Sequence, residues 1–111
     1  MAGGDAGTVE IIIKVFLENL RKLLPQAEHA ALAQDARALA AITHQWKGSL
    51  GLLGARRAQS SAARLEELCR LGEPERLSES FAALRRELLE LSDALEGAAS
   101  IAIDKDAARS P

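Results

Sequence analysis

The run Thr43-His44-Gln45-Trp46-Lys47-Gly48-Ser49-Leu50-Gly51-Leu52-Leu53-Gly54-Ala55 holds the residue types best suited to chemistry in this chain. Read as a helix over about 35–53, at roughly 100° per residue, it puts Leu39, Ile42, Thr43, Trp46, Leu50 and Leu53 on one apolar stripe. His44 points away from that stripe, among Ala40, Ala41, Lys47, Gly48 and Gly51. A glycine inside a helix costs about 1 kcal/mol relative to alanine. Two of them on one face suit close approach by a folded partner or a phosphoryl group. Lys47, at i+3, can reach a group attached to the imidazole. The plain alternative is a solvated surface histidine beside a lysine, which the glycines make less apt without removing it.

Other chemistries fit less well. His29 and His44 are the only histidines, and they lie on different predicted helices without the spacing of a metal site. No glycine-rich phosphate loop of the P-loop kind is present, so no nucleotide site of its own is indicated. A hydrolase would need a cleft and an oxyanion site, which a slim helical bundle does not offer. An exposed imidazole remains. Its neutral form keeps a nitrogen lone pair near neutral pH, attacks an acyl phosphate and holds the group as a phosphoramidate. Lys47 would offset the incoming charge and Gly48 would leave room for the phosphoryl oxygens. Such transfer rests on positioning and charge neutralisation; a partner supplying the aspartate and a metal would complete the site.

The rest of the sequence must hold that face. Its 111 residues suffice for one domain with one core, and 48% are hydrophobic, rich in Ala and Leu and without Tyr. That composition favours helices over strands. A net charge of −2 does not indicate nucleic-acid binding. Basic residues do gather near the key stretch, at Lys47, Arg56, Arg57 and Arg64, which suits an acidic partner face. A single cysteine, Cys69, excludes an internal disulfide and fits a reducing, cytoplasmic setting. No apolar run approaches the roughly 20 residues of a membrane span.

Four helices are predicted. Residues 1–7 read as a flexible leader. Thr8 can cap a first helix whose stripe is Val9, Ile13, Phe16, Leu20, Leu23, Ala27 and Ala30, kinked or broken near Pro25. Asp35 can cap the second, which Gly54 closes. A third, over about 55–71, buries Ala58, Ala62, Leu65 and Cys69 and stops at Gly72. A fourth starts at Glu73-Pro74, repeats Leu77, Phe81, Leu84, Leu88, Leu91 and Leu95, and ends near Gly97. Residues 98–111 read as a weakly ordered tail. Short loops between amphipathic helices imply an all-α, antiparallel up-down four-helix bundle over 8–97.

His44-Gln45-Trp46-Lys47-Gly48-Ser49, followed by Leu53-Gly54-Ala55, resembles the HxxKGS…GA signature of histidine-containing phosphotransfer (HPt) domains of bacterial and plant phosphorelays. Phe16-Leu17-Glu18, Gln34-Asp35 and Leu65-Glu66-Glu67-Leu68 extend the likeness over roughly 9–95. The resemblance implies that His44 takes a phosphoryl group from a receiver-domain aspartate and passes it to another. It also implies that Lys47 stabilises the phosphorylated form and that Gly48 permits docking. Glu66 stands where the family often has a Glu or Gln bonded to the other imidazole nitrogen; read alone, it is equally a surface carboxylate. Two departures, Trp46 and Leu50, replace smaller residues on the core stripe and bear on helix spacing.

The expectation is therefore a monomeric phosphocarrier without turnover or cofactor of its own, Mg²⁺ belonging to its partner. Partners would be receiver domains of response regulators or hybrid kinases. They would dock over Ala40, Ala41, Gly51, Leu52, Arg56 and Arg57. The alternative is a helical adaptor that binds such a partner without transfer.

Overall fold

The alternation of apolar stripes with Asp- and Gly-containing turns yields four helices: α1 (Ala2–Leu32), α2 (Ala36–Leu53), α3 (Arg56–Leu71) and α4 (Pro74–Arg109). The structure, a computed structural model, describes the backbone of residues 2–109 and the side chains of 7–97 except Pro74. No strand occurs among the described residues. The inner turns lie where the sequence placed them. Asp35 caps α2, its Oδ1 accepting from the Ala38 N–H at 3.1 Å, which satisfies one of the first-turn donors. Gly54 (φ 71°) and Gly72 (φ 70°) close α2 and α3 in the left-handed conformation that only glycine adopts without strain.

The outer boundaries differ from expectation. α1 begins at Ala2, so Thr8 lies within the helix and does not cap it. No proline occurs before Pro25 to stop the helix from extending upstream. Pro25 does not break α1 either, which runs unbroken to Leu32. The proline is exposed, while its neighbours Leu23, Ala27 and Ala30 are buried, and that packing offsets the lost backbone hydrogen bond. At the other end α4 continues past Gly97, where the adjoining alanines, the best helix formers, follow in sequence.

Each helix packs on two neighbours, α1 on α2 and α4, α3 on α2 and α4. The core draws on all four, through Phe16, Leu20, Leu39, Trp46, Leu50, Leu65, Leu77, Phe81, Leu84 and Leu88. Trp46 and Leu50 are sealed inside, as their place on the α2 stripe requires. The buried Thr43 hydroxyl satisfies itself on the Leu39 and Ala40 carbonyls, at 2.9 and 3.0 Å. The Trp46 indole N–H has no such partner. Both long helices outrun the core. α1 has 31 residues and α4 has 36, against 18 and 16 for α2 and α3. Val9 is accordingly exposed and Ile13, Leu91 and Leu95 only half-buried, although all four lie on the predicted stripes.

Candidate functional site

Burial of Leu39, Ile42, Thr43, Trp46 and Leu50 fixes how α2 is rotated, and so forces His44 outward. Its side chain is 70% exposed. The same argument on α3 buries Ala58, Ala62, Leu65 and Cys69, which leaves Glu66 at the rim of the stripe, facing α2. The two-residue turn at Gly54-Ala55 holds the helices close enough for contact. One Glu66 oxygen, Oε2, lies 2.7 Å from His44 Nδ1, and the other, Oε1, accepts from Lys47 Nζ at 2.6 Å. A single carboxylate thus spans imidazole and ammonium.

This geometry sets protonation. The Lys47 hydrogen bond holds the Glu66 carboxyl below its ordinary 4.5; partial burial opposes the shift and the His44 bond adds to it. An ionised carboxylate can only accept, so His44 Nδ1 must carry the proton of that bond. The lone pair of the neutral ring then belongs to Nε2. The structure thus brings Glu66, His44 and Lys47 together.

The neighbouring positions separate. Gly48 is exposed, and a Cβ added there would meet nothing within 4 Å. At Gly51 an added Cβ would lie 2.8 Å from Gln59 Nε2. This second glycine therefore accommodates a side chain of α3, and only Gly48 opens freely to an incoming group. Ala41 is exposed and Ala40 half-buried. Leu52 is 77% exposed. Arg56 and Arg57 are exposed at the start of α3, beside Glu87 and Glu90 of α4. Arg37 was not anticipated from the sequence. It lies seven residues before His44, two turns along one helix face, and borders a groove with Ala40, Lys47, Ala63 and Glu66. That spacing was the available signal.

Cys69 is buried, and burial pushes its thiol up, away from a reactive thiolate. No group of His, Cys, Asp and Glu suited to a metal occurs among the described residues. None of their helices is long and apolar enough to cross a membrane.

The model of the family described as the Hpt domain matches residues 11–98, most of the chain. The chain belongs to the Hpt domain family. Members are carriers of phosphoryl groups in two-component signalling, not enzymes, and they interact with receiver domains. Comparison with curated proteins gave no match, and comparison with solved structures gave none.

Proposed function

We propose that this protein is a phosphorelay intermediate in which His44 accepts a phosphoryl group from a receiver aspartate and delivers it to another. The observation that carries the reading is the placing of one Glu66 carboxylate on both His44 Nδ1 and Lys47 Nζ. With Nδ1 protonated, Nε2 attacks the phosphorus of the aspartyl phosphate. The N–P bond forms as the P–O bond to the aspartate breaks, and the carboxylate leaves with the bonding pair. The ring then bears a positive charge, which Glu66 offsets through Nδ1–H. Lys47 moves from Glu66 Oε1 to the phosphoryl oxygens, whose charge replaces the carboxylate as its counterion. Gly48 leaves them space. Return to a second receiver reverses these steps. The Mg²⁺ that neutralises the transferring group belongs to the receiver.

The same reading takes the bundle as antiparallel and up-down, with a bend in α1 at Pro25. The short turns and the ring of neighbouring helices support the antiparallel order, and a proline inside α1 supports the bend. The protein acts as a monomer.

The test is incubation with receiver domains phosphorylated by acetyl phosphate, followed by an assay for acid-labile phosphate. Wild type should label. His44→Gln should not, while keeping its far-UV circular dichroism. Label surviving in His44→Gln would overturn the assignment. Receivers that bind but never exchange phosphate would leave the adaptor reading in its place.

A further inference from the structure

The charge of this chain is unevenly placed. Residues 36–71, which make up α2, α3 and their turn, contain six Lys and Arg but only Glu66 and Glu67 as acids. That segment is +4. The remaining eight basic and fourteen acidic residues give the rest −6, which together make the chain's −2. Both carboxylates of the hairpin are already engaged, Glu66 with His44 and Lys47, Glu67 with Arg70. Arg37, Arg56, Arg57 and Arg64 are exposed and form no ion pair among the described residues. On the other helices Arg21, Arg76 and Arg85 each meet a glutamate, while Lys14, Lys22 and Arg86 form no ion pair among the described residues; there, however, acidic residues outnumber basic ones.

We infer that the α2–α3 hairpin is an electropositive docking surface, and that the receiver it selects carries an acidic rim around its phosphorylated aspartate. The inference rests on the phosphocarrier reading of His44. Charge complementarity names the occupant: the hairpin that carries His44 is +4 and holds four unpaired guanidinium groups, of which Arg37 borders the groove with Lys47 and Glu66, and the visitor brings a phosphoryl dianion. The hairpin has no free carboxylate to receive a basic surface. Arg37 and Arg56 are the contributors to examine. Arg37 shares the His44 face of α2, and the exposed Arg56 opens α3 directly after the Gly54-Ala55 turn. A surface of one sign raises the rate of encounter with an opposite one, and salt screens that gain over a Debye length of about 10 Å at 0.1 M. Discrimination follows too, because a receiver with a basic rim meets like charge.

The experiment uses the full chain and a panel of purified receiver domains of differing surface charge. His44 is first phosphorylated with phosphoramidate, a small donor that needs no docking. Transfer is then timed from about 25 to about 300 mM NaCl, and receiver binding is measured in parallel by titration calorimetry. Transfer to acidic-rimmed receivers should fall about tenfold or more across that range. It should fall about tenfold at low salt in Arg37→Glu/Arg56→Glu, with the salt dependence flattened. Lys14→Glu/Lys22→Glu, an equal charge change at two exposed positions of α1, should leave the rate unaltered. A salt-independent rate, equal transfer by the double variant, or preference for basic-rimmed receivers would overturn the proposal. So would low-salt self-association of the chain that the double variant abolishes, since the surface would then serve a second copy. Failure of phosphoramidate to label His44 would instead overturn the carrier reading; salt-dependent binding to acidic receivers would still sustain the docking surface.

Discussion

Glu66 is the residue on which the site turns, because two cations or near-cations share it. Its carboxyl is held below 4.5, chiefly by the Lys47 hydrogen bond. The depressed value means that its contribution to stability is complete above pH 4.5 and is lost as pH falls through the lowered folded-state value. Urea midpoints of wild type should therefore drop more steeply than those of Glu66→Gln between pH 4.5 and about pH 3. Their difference should stay constant from pH 5 to pH 7 so far as Glu66 itself is concerned; equal slopes at low pH would remove the claimed coupling. Gly48 makes a second residue-scale test. Its Cβ position is open, so Gly48→Ala should stabilise α2 by up to about 1 kcal/mol. If the face must admit a phosphoryl group and a receiver, the same variant should transfer more slowly. A variant both more stable and equally fast would show that Gly48 has no such role. His44, Lys47 and the open Gly48 were legible in the sequence because helical spacing alone puts them on one face. Glu66 was not, since its role depends on how α3 is rotated against α2, and the family resemblance had to supply it. The nearness of Gln59 to Gly51 was hidden for the same reason: periodicity puts Gly51 near His44 but cannot reveal a side chain across the interface.

At the scale of the elements, α2 is fixed at both ends and along one side. Asp35→Ala removes the side-chain acceptor for Ala38 N–H and should cost about 1 kcal/mol. Gly54→Ala forces a side chain into the left-handed region and should cost about 1–2 kcal/mol. Trp46 provides a sharper contrast. It is 1% exposed, yet its indole N–H is unpaired. Trp46→Ala should lose about 3–5 kcal/mol. Trp46→Phe should lose much less, because it discards the unsatisfied donor, a burden of about 1–3 kcal/mol, along with part of the packing. Urea denaturation followed by circular dichroism separates the two. Helix identities and the inner turns were readable because Asp, Gly and the apolar repeat agree there. The outer limits of α1 and α4 were not, because neither Thr8 nor Gly97 carries enough local preference to start or stop a helix among good helix formers.

The whole molecule is long and narrow, 58 × 24 × 18 Å. At 1.5 Å per residue α1 and α4 run about 46 and 54 Å, roughly twice the length of the hairpin between them. Two layers of protection follow. Amide protons in α2, α3 and the stretches of α1 and α4 packed on them should open only with global unfolding. Those near Val9 and Glu96, where apolar contact thins, should exchange earlier, by local opening. Deuterium uptake would show this as a gradient along α1 from residue 8 to residue 30. Uniform uptake along the helix would contradict it. On that expectation the His44 imidazole rides on the slowest-breathing part of the protein, and the overhanging ends should tolerate bending, clipping or tethering with little disturbance to its contacts with Glu66.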